Sequence, residues 1–232
     1  MGWSVPMSLT EEERKWAHEQ IEQYIQVYPR YKKYAETLQK VLECVVKKYA
    51  PLSIVQTRPK SIVSFADKMW RKKKEGRYVD SVNRMTDLCG GRVITPTRSD
   101  MKAVCDFIIG HFEIDRENSF DVSKRMKPAE FGYRSVHYVI QFKKGVFTTK
   151  DIDVEIPEEV FCLKAEIQVR TILEHAWAVF SHDRSYKGAF AIPNKWEREL
   201  ATLAATLESA DSTFSRIQTS LQAYAASYDA YM

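Results

Sequence analysis

Apolar residues recur at Ile21, Tyr24, Ile25 and Tyr28, and again at Leu38, Val41, Leu42 and Val45. Steps of three and four mark one face of a helix. Thr10 with Glu13 makes a capping box at the start, Pro29 separates the two runs, and Pro51 closes the second. The pattern therefore predicts two helices within residues 1–50. After that the period shortens. SIVQT (53–57), GRVIT (91–95), RSVHYVIQF (134–142) and LKAEIQVR (163–170) read as strands. SIVSFADKMWRKKK (61–74), SDMKAVCDFIIGHF (99–112, capped by Ser99) and TILEHAWAVFSHDRSYK (171–187) read as helices. KGVFTTKDIDVEIP supplies a turn and a further short strand. Asn194 with Glu197 resembles another capping box. From Trp196 through Leu200, Leu203, Leu207, Ala210, Phe214, Ile217 and Leu221 to Tyr224 the apolar positions alternate four and three apart. That heptad stripe predicts a long helix, or a pair, lying on the body, or else a contact surface for another protein.

Strands alternating with helices predict an α/β (α+β) fold, a mixed sheet with helical extensions at both ends. The segments are 1–50 (helical), 51–190 (the mixed domain) and 191–232 (an amphipathic helix or helices). Neither an internal repeat nor a low-complexity linker is present. Of the 232 residues 44% are hydrophobic and 28% charged, with a net charge of +4, the composition of a soluble globular protein whose mild basicity permits an anionic partner without demanding one. The four cysteines form no C-x-x-C pair, which argues against a zinc site and for a reducing compartment. No apolar run reaches the roughly 20 residues of a membrane helix, and MGWSVPMSLTEEER has no signal pattern, so the expected location is cytoplasmic.

Several polar clusters fall at strand and helix ends. In AEIQVR, Glu166, Gln168 and Arg170 share one face of a strand. In DLCGGR, Asp87 precedes a Gly-Gly turn into a strand, where glycines permit close approach and a carboxylate can ligate a metal. In RPKSIVSFADK, Arg58 and Lys60 precede a helix on which Ser64 and Lys68 lie one turn apart, a basic helix start suited to a phosphate chain. RKKKEGR (71–77) reads as a solvated helix end. FGYRSVH (131–137) gathers an aromatic, a cation, a hydroxyl and an imidazole beside one glycine. Taken singly, each has a plain structural reading as a solvent face, a turn cap or a core tyrosine. There is no G-x-x-x-x-G-K-[ST] and no kinase signature. Carboxylates, cations and a stacking aromatic together still point to polyphosphate chemistry.

In order, R-x-K-x-x-x-S-x-x-x-K, D-x-x-G-x-R, G-Y-R-S-x-H, E-I-Q-x-R and H-x-x-x-Y-K resemble the motifs of the synthetase domain of RelA/SpoT-type alarmone synthetases, across roughly residues 50–190. The resemblance implies a nucleotidyltransferase-like mixed β-sheet flanked by helices. It implies transfer of pyrophosphate from ATP to the ribose 3′-hydroxyl of GDP or GTP, giving (p)ppGpp. By the same resemblance Arg58 and Arg92 sandwich adenine, and Lys60, Ser64 and Lys68 hold the ATP phosphates. Asp87 and Glu166 bind Mg²⁺, Glu166 helps activate the acceptor hydroxyl, and Gln168 assists. Tyr133 stacks on the acceptor base, Arg134 and Ser135 set its loop, and His137, His182 and Lys187 meet the acceptor's phosphates or ribose. His175 stands where many small synthetases carry Asp or Asn. KPAEFGY is longer than the usual K-P-x-G-Y, so both departures touch the acceptor side. No hydrolase domain is visible, which places the chain among small, synthetase-only members. Toxin-type relatives that modify the tRNA 3′-CCA end or adenosine nucleotides share the chemistry. For them, the basic stretches at 71–77 and 124–127 would meet tRNA, and the C-terminal stripe an antitoxin or a second subunit.

Overall fold

The Thr10 hydroxyl accepts a hydrogen bond from the Glu13 amide, and the Glu13 carboxylate accepts one from the Thr10 amide. The helix so capped, α1 (Glu11–Tyr49), runs for 39 residues in the computed structural model, which describes residues 10–76, 80–127, 131–132, 134–149, 152–185 and 194–229. The expected break at Pro29 does not occur. An internal proline costs about 3 kcal/mol through its missing N–H and its clash with the preceding turn. Tyr24, Tyr31, Tyr34, Leu38, Val41, Leu42 and Val45 are all buried on the same helix, and their packing outweighs that cost.

Among the described residues eight strands and five further α-helices follow. They are β1 (Ile54–Pro59), α2 (Ile62–Lys74), the one-turn α3 (Ser81–Arg84), β2 (Cys89–Thr95), α4 (Arg98–His111), β3 (Phe112–Ile114) and β4 (Phe120–Asp121). Then come β5 (Val136–Phe142), the hairpin β6 (Thr148–Thr149) and β7 (Ile152–Asp153), β8 (Ala165–Thr171), α5 (Ile172–Ser185) and α6 (Asn194–Asp229). The main sheet is mixed, in the order β1-β2-β8-β5-β3 with β4 also on β5, and only β2 and β8 are parallel. The expected fold class is what the structure has. The cap of α4 is Thr97 rather than Ser99: the Thr97 hydroxyl accepts from the Asp100 amide at 3.2 Å, so Ser99 falls inside the first turn.

The sheet has two unlike faces. Ile167 and Gly91 meet Leu38 and Leu42 of α1, and α1 is built into the core rather than appended to it. The other face carries the polar residues of β1, β2 and β8. Gly91 is where helix and sheet come closest: a Cβ there would lie 3.2 Å from Leu38 Cδ2, 3.5 Å from Ile167 Cγ1 and 3.6 Å from Leu42 Cδ1. Gly91→Val should therefore destabilise the fold by about 1–3 kcal/mol through overpacking, read as a lower urea midpoint with an unchanged slope.

The apolar stripe of residues 196–224 is one continuous helix, α6, pinned mainly by polar contacts. Thr171 donates to Asp211 (2.6 Å), Thr97 donates to Gln218 (2.5 Å), and Arg134 pairs with Glu208 (2.6 Å). Phe214, Ile217, Leu221 and Tyr224 stay exposed, and the first three line an apolar groove of about 500 Å³ with Leu52, Ile54 and Ile172. No helix among the described residues is long and apolar enough to cross a membrane.

Candidate functional site

Residues paired across neighbouring strands project to the same face of a sheet, so the ladder register assembles the site. One row runs Gln56, Arg92, Gln168, His137 and Phe120 over five strands. The next runs Arg58, Gly90, Glu166 and Val139. Gly90 sits between Arg58 and Glu166, and nothing lies within 4 Å of where its Cβ would be, so the missing side chain leaves an open floor.

Over that floor lies a cleft of about 460 Å³. Of the residues expected from sequence, Arg58, Lys60, Ser64, Asp87, Arg92, Glu166 and Gln168 line it. Lys68 reaches its edge from α2. The structure adds Gln56, Thr57 and Ser61. Gln56 was legible, standing two residues before Arg58 on one strand face. Ser61 caps α2, its hydroxyl accepting from the Ser64 amide at 3.2 Å, so the start of that helix opens on the cleft. One support had no sequence signal: buried Tyr24 of α1 donates its hydroxyl to the Lys60 carbonyl at 2.6 Å and stacks on Phe65 at 4.3 Å.

Asp87 and Glu166 form the acidic centre. Lys60 and Lys68 each place Nζ 2.8 Å from a different oxygen of Asp87. Burial pushes the Asp87 carboxyl up, but the two ammonium groups outweigh it and hold the acid below its ordinary range. Glu166 Oε1 lies 3.0 Å from His137 Nδ1 and accepts from Gln168 at 3.0 Å. There too burial raises the acid, the donors win, and the carboxyl titrates below its usual value despite repulsion from Asp87. Arg170 continues the chain by donating to Gln168.

This donor set fits a hard divalent cation. Two ionised carboxylates face one cleft, and among the described residues no cluster of three His, Cys, Asp or Glu would close a complete protein shell. An ion that keeps waters and shares substrate phosphates, as Mg²⁺ does, suits such a pair.

The described residues among those expected on the acceptor side have the following surroundings. His137 turns to Glu166. Ser135 is buried, and its carbonyl accepts from the Val122 amide at 3.1 Å. The Arg134 guanidinium is directed to Glu208 of α6. His175 lies on α5, where burial and the Arg170 and Arg92 guanidiniums hold it below its ordinary pKa, hence neutral near pH 7. Tyr133, Lys187 and the His182 side chain lie outside the described residues. The basic end of α2 uses part of its charge locally: Lys72 pairs with Glu75 at 2.8 Å, and Lys73 lies over the Trp16 ring at 4.2 Å.

Comparison with known proteins gives these matches. Residues 57–190 match the family described as a region found in RelA / SpoT proteins. GTP pyrophosphokinase YwaC of Bacillus subtilis is 29% identical over 154 residues, spanning 66% of this chain and 68% of that protein. Small alarmone synthetase 1 of the same organism, solved with its product pppGpp, superposes with a TM-score of 0.65 at 22% identity, over 88% of this chain and 99% of that one. The same synthetase bound to AMPCPP gives 0.60 at 20% identity, over 87% and 98%.

Proposed function

The chain belongs to the RelA/SpoT family, and from that premise we propose that it is a pyrophosphokinase that moves the β,γ-pyrophosphate of ATP to the ribose 3′-hydroxyl of GDP or GTP. The observation that carries this reading is the pairing of two ionised carboxylates, Asp87 and Glu166, with two cations, Lys60 and Lys68, in a cleft that opens on a helix start. Polyphosphate chemistry needs that combination, because charge on the transferring group must be met by positioned cations.

ATP would enter with its phosphates at the start of α2. Lys60 and Lys68 would exchange part of their contact with Asp87 for phosphate oxygens, and Ser64 would donate to the chain. Arg58 and Arg92 stand on adjacent strands over the glycine floor, where two guanidinium planes can hold a base between them. Mg²⁺ held by Asp87 and Glu166 would neutralise charge on the phosphates. Glu166 takes the proton of the acceptor hydroxyl as the new oxygen–phosphorus bond forms at the β-phosphorus, and AMP leaves as the old bond breaks. Gln168 keeps Glu166 in place. Tyr133, which precedes β5 in the sequence, would stack on the acceptor base. The relative solved with pppGpp and with an ATP analogue supports guanosine and ATP as the two substrates.

The test is transfer of label from β-labelled ATP with Mg²⁺, offering GDP, GTP, AMP, ADP and deacylated tRNA in parallel. Label on GDP or GTP is expected. Label on tRNA with guanosine nucleotides untouched would replace the acceptor assignment, and label on no acceptor would overturn the reading.

A further inference from the structure

At the far end of the polar row, Phe120 lies flat on His137, with ring centroids 4.6 Å apart and planes 15° from parallel. The two residues face one another in the β4–β5 ladder. On Phe120 sits Arg125, its guanidinium carbon 4.4 Å from the ring centroid. Arg125 reaches there because the chain turns sharply: Asp121 Oδ1 accepts from both the amide and the hydroxyl of Ser123, at 2.9 and 2.6 Å. Below the stack, His137 Nδ1 meets Glu166 Oε1 at 3.0 Å. A cation, an aromatic ring, an imidazole and a carboxylate therefore stand in contact, from the edge of the sheet to the cleft.

We propose that Phe120 is a positioning residue: by clamping the plane of His137 it fixes the hydrogen bond that aims Glu166 at the reacting hydroxyl. The inference rests on the reading of Glu166 given above. An imidazole can rotate about its ring axis and present carbon in place of nitrogen to its neighbour. A flat aromatic against one face blocks that rotation, and the cation over the aromatic ring holds the aromatic in turn. Glu166 has two side-chain donors, His137 and Gln168. Gln168 is its neighbour on the same strand, whereas His137 reaches it from β5, so the imidazole sets the lateral position of the carboxylate. Misplacing a reacting group by about 1 Å costs up to about 100-fold in rate.

The stack also ties the carboxylate to the residues just ahead of β5. The segment that bears Phe120 and Arg125 is bonded to the residue before β5, the Val122 amide donating to the Ser135 carbonyl at 3.1 Å.

The test compares Phe120→Leu, Phe120→Tyr and Arg125→Gln with the parent chain. Phe120→Leu should lower kcat about 10- to 100-fold, with KM for ATP within about twofold. Phe120→Tyr keeps the flat ring and should restore kcat, and Arg125→Gln should show a smaller loss. A second readout needs no turnover. In the histidine side-chain nitrogen–proton correlation spectrum the hydrogen-bonded Nδ1 of His137 should move toward the free value in Phe120→Leu and stay in place in Phe120→Tyr. An unchanged imidazole signal in a folded Phe120→Leu would overturn the proposal, as would failure of Phe120→Tyr to restore kcat. A parent chain that transfers nothing while the imidazole behaves as expected would overturn the functional reading and leave the clamp standing.

Discussion

Glu166→Gln should reduce transfer by about 10²- to 10⁴-fold while leaving the fold intact. The substitution keeps the size of the side chain, and its remaining carbonyl can still accept from His137 or Gln168. It removes the negative charge and the ability to take a proton. In the native cleft burial works against the carboxylate and the surrounding donors hold it ionised, the state that the proposed base needs at neutral pH. The phosphate-holding groups lie elsewhere, on the segment from Arg58 to Lys68, so affinity for a non-hydrolysable ATP analogue should change only a few-fold. Single-turnover transfer and calorimetric binding of the analogue separate the two effects. Full activity in Glu166→Gln would remove this residue from the mechanism and leave Asp87 as the only carboxylate of the centre.

Tyr24→Ala should have the largest effect on stability. The side chain is fully buried, stacks on Phe65 of α2, and donates to the carbonyl of Lys60. Truncating a buried aromatic to alanine costs about 3–5 kcal/mol through lost transfer energy and the cavity left behind. For a chain of this size that lowers the thermal midpoint by roughly 6–20 °C, at about 2–4 °C per kcal/mol. Tyr24→Phe separates the two contributions. It keeps the stack and deletes only the hydroxyl, so it should cost about 1–2 kcal/mol. It should also raise KM for ATP, because the backbone at Lys60 is then held by one bond fewer. A Tyr24→Ala variant that melts with the parent would mean that α1 is not anchored to the cleft through this ring.

That Arg58, Lys60, Ser64, Glu166 and Gln168 share one cleft was readable in the sequence because they sit on two short stretches with regular local geometry. Arg58 and Lys60 precede a helix, Ser64 and Lys68 lie one turn apart on it, and Glu166 and Gln168 alternate along one strand. Local periodicity fixes such relations, and the structure keeps them. What failed was what depends on distant packing. Pro29 is a strong local stop, and only the burial of Tyr24, Tyr31 and Tyr34 against later elements carries the helix through it. The α4 cap moved from Ser99 to Thr97 because either hydroxyl satisfies the cap pattern, and the path of the chain leaving β2 selects between them. Glu208 lies beside the heptad stripe, where only the apolar positions draw notice, and its ion pair with Arg134 joins residues 74 apart. Phe120 sits in a polar loop by sequence. Its place beside His137 follows from a two-residue strand pairing that no periodicity announces.

The order of strands in the sheet differs from their order in the chain. β8, which bears Glu166 and Gln168, lies between β2 and β5, both of which precede it. Until synthesis passes residue 171 the sheet has a gap at its middle: Asp87 and Arg92 stand on one side, His137 on the other, and no carboxylate lies between them. The polar row is thus completed in a single late insertion, when β8 enters parallel to one neighbour and antiparallel to the other. Pairing over such separations is slow, because loop closure costs entropy before any contact repays it. A nascent chain can bring Lys60, Lys68 and Asp87 together early, but the row that joins Arg92 to His137 closes only when β8 is in place.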